Sequence, residues 1–365
     1  MRKNIFSVGI VGYGVVGQRR RFVVDRNPNL QTVAVCDVRF QKDGTMIDGA
    51  DFGYTYDLLE NCSLEETYSN KFDDGIQFFN NYKDLLDNSV LDILFVCVPN
   101  YLAPKVTISG LERGLHVFCE KPPGRTVEDI REVMEVEEKN PNTKLKYGFN
   151  HRYHGSIKQA KRIIDSEEYG EVINLRGVYG KSSIIPFSGG WRSENKYAGG
   201  GILLDQGIHM LDMIRYFAGD FGEIKSFVTN NYWRHDVEDN AFVIMRNEEG
   251  CIAALHSTAT QWQHRFRLEI TLTDALLELS GILSGSKSYG EEKLKIISRK
   301  DESLTGSQDE IVVSFLEDNS WKEEVDEFAR IILENEEVIN GNSVDALKLM
   351  EVIFKIYNAD DSWTE

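Results

Sequence analysis

The chain has 365 residues, of which 41% are hydrophobic and 27% charged, a balance typical of a globular protein with two or three domains. Its formal net charge of -18 argues against a nucleic-acid or anionic membrane surface as a partner. No run of about 18 consecutive apolar residues occurs, so no membrane span is expected.

The cysteines are odd in number, and no two of them have the spacing of a metal site. We expect reduced thiols in a cytoplasmic protein that binds no metal. The basic start leads into a glycine-containing segment and then into three consecutive arginines, so a signal peptide is not expected. The cysteines are Cys36, Cys62, Cys97, Cys119 and Cys251.

The chain opens with the pattern strand, glycine turn, helix, strand, acid. An apolar run at 5–11 leads into Gly12-Tyr-Gly-Val-Val-Gly17, and the second strand ends on Asp37. In a dinucleotide-binding turn the first glycine permits the tight bend. The second lets the pyrophosphate approach the backbone, and the third lets the helix pack on the strand. The sequence therefore predicts a dinucleotide site here, built by Gly12, Tyr13, Gly14, Val15, Val16, Gly17, Asp37, Val38 and Arg39.

Residues 39–76 show no sustained periodicity and are expected to form short helices and loops. Beyond them, strands and helices alternate, which predicts a doubly wound parallel sheet. The predicted strands are 76–79, 90–98, 115–119 and 144–149; the helices are 82–86, 102–113 and one that begins after Thr126 and ends before Pro141. Val98 ends one of these strands, Pro99 and Asn100 follow it, and Glu120 and Lys121 follow the next, at the edge where such sheets bind ligands. All five are assigned to the cofactor site.

Near residue 150 the pattern changes, which predicts a first domain at 1–150 and a second at 151–365. Strands in series with short turns indicate an open, mostly antiparallel sheet, so the fold class is α/β followed by α+β. The closing helices could pack back on the first domain. The predicted elements are helices at 156–166, 199–218, 321–335 and 344–357, and strands at 172–179, 224–229, 240–246, 251–258, 266–271 and 275–279.

The helix at 199–218 carries Asp205 and His209, one turn apart on the same face. A carboxylate can orient an imidazole and favour its protonated form, so the two side chains are a candidate acid–base pair. Gly207 lies between them and predicts the close approach of another backbone or a ligand. The alternative is a core histidine hydrogen-bonded to a local acid.

The order of these motifs, together with Trp191-Arg192 and Gly199-Gly-Gly, resembles the Gfo/Idh/MocA family of oxidoreductases over nearly the whole chain. The resemblance implies an N-terminal Rossmann domain and a C-terminal open sheet with helices on one face. The other face commonly builds the oligomer in that family. The family's catalytic residues fall on Lys121, Asp205 and His209. Many members have a histidine at the position of Ala103 or Pro104, and this chain departs from them there.

The resemblance implies hydride transfer between NAD(P) and a secondary alcohol or ketone of a sugar, cyclitol or nucleotide-sugar. His209 would act as base, and the charge of Lys121 would stabilise developing alkoxide. An NAD-dependent glycosidase of the same family and a non-catalytic cofactor-binding sensor are the alternatives. Trp191 and Arg192 are expected at the cofactor. The predicted substrate-binding residues are Lys121, Asn150, Arg152, Tyr153, Lys181, Asp205 and His209.

Two further expectations concern the cofactor and the assembly. Asp37 should accept ribose hydroxyls and repel a 2′-phosphate, which favours NAD over NADP, although Arg39 is close enough in sequence to weaken that preference. The later strands carry more alternating apolar positions than one layer of helices needs, so a homodimer or homotetramer is expected through this sheet. These positions are Phe227, Phe242, Ile244, Ile252, Ala254, Phe266 and Leu268.

Overall fold

Buried apolar runs alternate with amphipathic helices in the first part of the chain, and they form a parallel sheet. The computed structural model describes residues 5–40, 75–184, 190–284, 288–299 and 308–364. Cys62 and nearly all of the predicted short helices and loops at 39–76 lie outside these residues. The strands are β1 Phe6–Val11, β2 Leu30–Cys36, β3 Gln77–Phe79, β4 Ile93–Val96, β5 His116–Glu120 and β6 Leu145–Gly148, and the helices are α1 Val15–Val24, α2 Tyr82–Asn88, α3 Ala103–Leu111 and α4 Val127–Lys139.

The six strands pair in the order β3-β2-β1-β4-β5-β6, and every pair is parallel. This confirms the predicted doubly wound sheet. Thr126 caps α4 as expected: its hydroxyl accepts the Asp129 N–H, and the Asp129 carboxylate reaches back to the Thr126 N–H. Val90 is 85% exposed, so the predicted strand at 90–98 is shorter than its apolar run.

The second part of the chain changes to an α+β pattern, as expected. Its helices are α5 Gly155–Asp165, α6 Asn195–Ala198, α7 Ile208–Ala218, α8 Ser320–Glu334, α9 Ser343–Asn358 and α10 Asp361–Thr364, with 3-10 turns at Asn150–Tyr153 and Trp191–Ser193 and a π-helix at Leu203–Gly207. Its strands are β7 Val172–Ser182, β8 Glu223–Thr229, β9 Asn240–Arg246, β10 Ile252–Gln261, β11 Arg265–Leu272, β12 Ala275–Ser280, β13 Glu292–Arg299 and β14 Gln308–Phe315. Strands β13 and β14 were not among the predicted elements.

The eight strands follow the order β14-β13-β12-β11-β7-β10-β9-β8. Among the described strand pairs of this second sheet, only β7–β10 is parallel, so the sheet is mostly antiparallel, as predicted. Strand β7 lies between β11 and β10, although these two strands are neighbours in the sequence. Ser182, the last residue of β7, donates its N–H to Nδ1 of His264, in the β10–β11 connection.

The structure divides into two compact units. The first comprises Met1–Phe149, Lys196–Gly199 and Trp321–Leu347, and the second comprises Asn150–Asn195, Gly200–Ser320 and Lys348–Glu365. In the first unit, side chains of α8 complete the core beside β1 and β4, and Phe328 packs edge-on against Phe95 and Phe118. None of the described helices is long and apolar enough to cross a membrane.

One face of the second sheet is buried, and the other carries exposed apolar side chains. Phe227 is 74% exposed, Phe242 53% and Ile244 59%, so these alternating positions do point away from the helices. Phe266 and Leu268, from the same predicted set, are buried instead and belong to the covered face. The strand β11 alternates in the opposite phase, and its outward positions are occupied by Arg265, Arg267 and Glu269.

Candidate active site

The glycine turn of the first unit is shaped by steric exclusion. Gly12 has φ +90°, and a Cβ placed on it would lie 2.2 Å from the carbonyl oxygen of Cys97. A Cβ on Gly17 would lie 2.0 Å from the carbonyl oxygen of Gly12. Gly14 is the N-cap of α1 and offers no side chain to its first turn, which begins with Val15 and Val16. The turn therefore leaves backbone N–H groups at a helix N-terminus, a geometry that suits a pyrophosphate.

Asp37 follows β2 and is held against this turn. Its Oδ2 accepts the N–H of Tyr13 at 2.8 Å. Arg39 donates from Nε to Oδ1 of Asp37 at 2.7 Å, and its guanidinium also donates to the carbonyl oxygen of Tyr13 at 3.2 Å. The neighbouring Val38 is 71% exposed. The structure thus brings the predicted acid and the glycine turn together within one unit, and these residues fit a dinucleotide.

The segment after β4 also borders the turn. The Cys97 N–H donates to the Val11 carbonyl oxygen at 2.7 Å, and Val98 and Pro99 follow directly. Asn100 is buried, and its Nδ2 donates to the carbonyl oxygen of Ala198 at 2.7 Å. The side-chain amide of Asn100 therefore supports the segment, and its part in a cofactor site stays a prediction.

A buried arginine stands behind the Glu120-Lys121 pair. The Nε of Arg20 lies 2.5 Å from Oε1 of Glu120, and its Nη2 lies 2.7 Å from Oε2 of Glu324. The guanidinium carbon is 4.4 Å from the ring centre of Phe118 and 4.2 Å from that of Trp321. The single positive charge of Arg20 therefore pairs with two carboxylates, and its guanidinium contacts two aromatic rings.

The charge balance of this cluster favours protonation of one acid. Burial raises the pKa of Glu324 to about 7, against the opposing effect of Arg20. Burial affects the pKa of Glu324 more than Arg20 does, because Arg20 also interacts with Glu120. Sequence reasoning missed Arg20 and Glu324; the signal was an arginine at a buried position of α1, inside a run of three.

In the second unit, glycines let the Asp205-to-His209 segment approach its neighbours. A Cβ on Gly207 would lie 2.5 Å from the Oγ of Ser257, so the close neighbour is the side chain of a β10 residue. A Cβ on Gly201 would lie 2.0 Å from the carbonyl oxygen of Glu238. Glu238 is buried and accepts the N–H groups of Gly201 and Leu203 at 2.7 and 2.9 Å.

The predicted continuous helix at 199–218 is instead a π-helix followed by α7. The wider π turn spans Leu203–Gly207 and therefore includes Asp205, while His209 belongs to α7. π turns occur frequently at functional sites. We name Leu203–Gly207 together with Ile208–Ala218 the acid–histidine helix.

Charged and aromatic groups surround Asp205. The Nε of Arg192 lies 3.7 Å from its Oδ1, and the guanidinium of Arg192 lies 4.3 Å from the ring centre of Trp191. Burial lowers the pKa of Lys181, while Asp205 opposes that shift and Arg192 adds to it. The structure therefore brings Lys181, Trp191, Arg192 and Asp205 together in the second unit.

One predicted substrate-binding residue, Arg152, has a buried ionic partner. Arg152 donates from Nε and Nη2 to the carboxylate of Asp212 at 2.9 and 2.6 Å, and both side chains are buried. This bidentate pair accounts for the burial of both charges. Asn150 and Tyr153 are buried in the same 3-10 turn. The proximity of Arg152 to Asp212 anchors this turn to the acid–histidine helix.

The sequence interpretation missed several side chains near Asp205. Tyr289 and Gln206 are joined by a hydrogen bond of 3.0 Å, and the His264 ring centre lies 4.7 Å from that of Tyr289. Tyr179 lies with its ring 5.3 Å from Tyr289. Burial raises the pKa of Tyr289 and lowers that of His264. Only alternation along β7 could have indicated Tyr179, because the other contacts join distant segments.

Comparisons with known proteins support these observations. Residues 6–149 match the profile of the oxidoreductase family with an NAD-binding Rossmann fold, and residues 157–278 match the GFO/IDH/MocA C-terminal domain. Levoglucosan dehydrogenase of Pseudarthrobacter phenanthrenivorans is 29% identical over 151 residues, covering 41% of this chain and 38% of that protein. D-glucoside 3-dehydrogenase of Escherichia coli is 29% identical over 236 residues, covering 64% of this chain and 59% of that protein.

The matched stretches thus span from 38% to 59% of the length of these two curated relatives. Among solved structures, a levoglucosan dehydrogenase in complex with NADH and levoglucosan aligns with a TM-score of 0.78 at 19% identity. That alignment covers 97% of this chain and 96% of the other. At this identity the structural likeness supports the fold alone.

Proposed function

Since the chain belongs to the Gfo/Idh/MocA family of oxidoreductases, we propose that it is a dehydrogenase or reductase acting on a secondary alcohol or ketone of a sugar, cyclitol or nucleotide-sugar. One observation carries the proposal: the same chain contains a glycine turn joined to Asp37 and a helix that presents Asp205 and His209. The first feature suits a dinucleotide, and the second suits proton transfer.

The first unit would hold the cofactor, and NAD is proposed over NADP. The backbone of the turn from Gly12 to Gly17 and the N-terminus of α1 would receive the pyrophosphate. Asp37 would accept the ribose hydroxyls, and its carboxylate would repel a 2′-phosphate. Arg39 already pairs with Asp37, which supports a role in holding that carboxylate rather than in receiving a phosphate.

The proposed chemistry needs a proton acceptor and charge stabilisation. A nicotinamide cofactor supplies the hydride acceptor or donor. His209 would accept the hydroxyl proton during oxidation, and Asp205 would orient the imidazole or bind the substrate. Lys121 would stabilise the developing alkoxide. Lys181 would bind a substrate hydroxyl, since its half-buried amine lies close enough to Asp205 for the two charges to interact.

We further propose that residues 1–150 serve mainly the cofactor and residues 151–365 the substrate and the assembly. The exposed row of Phe227, Phe242 and Ile244 supports a homodimer or homotetramer through the outward face of the second sheet. A cytoplasmic location is supported by the described cysteines, which are free thiols. Light scattering that gives only the 41.7 kDa monomer at micromolar concentration would refute the assembly.

The decisive experiment is an activity screen. Purified protein is mixed with NAD or NADP and a panel of sugars, cyclitols and nucleotide-sugars, and formation of the reduced cofactor is followed by absorbance. We expect net NADH formation with at least one alcohol, and its loss in Lys121→Ala. Substrate cleavage without net NADH would indicate a glycosidase, and cofactor binding without turnover of any compound would indicate a sensor.

A further inference from the structure

The ring of His151 lies flat against the ring of His209. Their centroids are 3.7 Å apart, and their planes differ by 16°. Both residues are buried, with 7% and 5% of their surfaces exposed. In this parallel arrangement neither ring nitrogen can donate a hydrogen bond to the other ring. The two rings therefore interact through their π faces. Whether this interaction is attractive or repulsive depends on the charge of each imidazole.

A directed chain of hydrogen bonds places a proton on Nδ1 of His151. The hydroxyl of Ser320 lies 2.6 Å from Oδ1 of Asp318, which can only accept, so the hydroxyl donates there. The Oγ of Ser320 then accepts from Nδ2 of Asn150 at 3.3 Å. This orients the amide, so Oδ1 of Asn150 faces Nδ1 of His151 at 3.2 Å. Because that oxygen is an acceptor, Nδ1 of His151 carries the proton.

The other nitrogen of His151 meets a tyrosine. Its Nε2 lies 3.1 Å from the hydroxyl of Tyr179. Burial raises the pKa of Tyr179 well above its ordinary value, so the phenol keeps its proton and can donate it to Nε2. With Nδ1 donating to Asn150 and Nε2 accepting from Tyr179, a neutral imidazole satisfies both contacts.

We propose that His151 is a positioning residue: a neutral aromatic platform that holds the His209 ring and favours the imidazolium formed when His209 accepts the substrate proton. The proposal rests on the proposed function of His209. A neutral π face attracts a cation, whereas a protonated His151 would repel one. The chain from Asp318 to Tyr179 thus maintains the electrostatic condition under which His209 works as a base.

Other charged groups near the two rings contribute to the same balance. Asp205 belongs to the acid–histidine helix itself. The ring of His154 lies 5.4 Å from that of His151, and its Nδ1 is 2.8 Å from a carboxylate oxygen of Glu292. Within the described residues, the titratable or charged groups around the pair include Asp205, Tyr179, Lys181, Arg192, Tyr289, Arg152 with Asp212, and His154 with Glu292.

Three variants separate the platform from simple packing. His151→Phe keeps a flat aromatic face that cannot titrate, His151→Leu removes the face but retains apolar volume, and Asn150→Asp places a carboxylate at Nδ1 that favours protonation of His151. We expect His151→Phe to keep most of kcat. We expect the other two variants to lose roughly three- to thirtyfold in kcat, with the acid limb of kcat/KM moved down by roughly half to one pH unit.

A second readout does not depend on turnover. Long-range 15N–1H correlation spectra of histidine-labelled full-length protein report the tautomer and protonation of each ring. We expect His151 as the neutral Nδ1–H tautomer through the working pH range, and a protonation midpoint of His209 that is lower in His151→Leu than in His151→Phe.

The outcomes are distinct. Equal His209 midpoints in His151→Leu and His151→Phe would overturn the platform, as would a protonated His151 in the unmodified protein. If no alcohol is oxidised but the midpoints differ as expected, the proposed function fails while the effect of His151 on His209 stands. Thermal unfolding of each variant identifies any that fails to fold. The deciding comparison is the protonation midpoint of His209 in His151→Phe against that in His151→Leu.

Discussion

The glycine turn of the first unit and the acid–histidine helix of the second are assembled in different ways. The turn is defined by the absence of side chains: Cβ atoms at Gly12 and Gly17 would collide with backbone oxygens. The helix is defined by buried side chains from distant segments, such as His151 against His209 and Arg152 on Asp212. The turn should therefore be intolerant of added atoms and the helix intolerant of lost ones. The contrast can be tested by substitution.

The largest effect is expected from Gly12→Ala. The residue has φ +90°, and the added Cβ would lie 2.2 Å from the Cys97 carbonyl oxygen, so the turn must distort. We expect NAD binding, measured by calorimetry, to be lost and the melting temperature to fall. Gly222→Ala is the control, because its Cβ would meet nothing within 4 Å. Retention of normal NAD affinity in Gly12→Ala would contradict the steric account of the turn.

The next effect is expected from His209→Ala. General acid–base steps contribute about 10²–10⁴-fold, so kcat should fall within that range while NAD affinity is retained. Steady-state kinetics with the substrate found in the screen, together with calorimetry for NAD, measure the two quantities. His235→Ala provides a control outside the acid–histidine helix. Near-normal turnover in His209→Ala would reduce the histidine to a core residue and make Lys121 the better candidate for proton transfer.

A smaller effect is expected at Asp37. Replacing it by Ser removes the charge that should exclude a 2′-phosphate, so the preference for NAD over NADP should narrow by about tenfold to hundredfold. The reciprocal variant Arg39→Met removes the nearby cation and should leave NADP binding at least as weak. Dissociation constants of NAD and NADP, measured for both variants and for the unmodified protein, test these two expectations. Tighter binding of NADP than NAD by the unmodified protein would contradict the assignment of Asp37.

The smallest effect concerns stability at Glu324. Its pKa is about 7 in the folded protein against an ordinary value of 4.5, so the folded state binds the proton more tightly. Its contribution to stability is present below about pH 4.5 and is lost as the pH rises towards 7. Glu324→Gln should therefore flatten the decline in melting temperature between these pH values, as measured by calorimetry. Glu334→Gln, at an exposed position of the same helix, is the control and should leave the decline unchanged.

The same contrast explains how much could be predicted from the sequence. The turn from Gly12 to Gly17 and the acid at Asp37 were recognisable because local spacing encodes them, and the parallel sheet followed from the alternation of strands and helices. The pairing of Asp205 with His209 stays a prediction. The π turn that contains Asp205 could not be foreseen, because Glu238 and Ser257 shape it from other segments. Arg152 illustrates the limit most clearly, since its buried partner was visible only in the fold.

Strands β13 and β14 were missed for a different reason. Neither strand shows a clear alternation of apolar and polar residues over its length. Lysines separate the apolar residues of β13, and β14 is largely exposed. An edge strand that buries little leaves little pattern to detect. By contrast, β9 alternates regularly and was predicted with its observed bounds of Asn240–Arg246.

The position of β7 has a consequence for how the second unit folds. Strands β8 to β10 and β11 to β14 are two meanders that can each form from neighbouring segments, but they join only through β7, which pairs with both. Asn174 of β7 lies opposite Ile252, far along the chain, so this pairing closes a long loop and is intrinsically slow. Tyr179 and Lys181 belong to β7. We therefore expect the side chains beside Asp205 to be brought into place by a late, non-local step of sheet assembly, so that an incompletely folded chain would lack them.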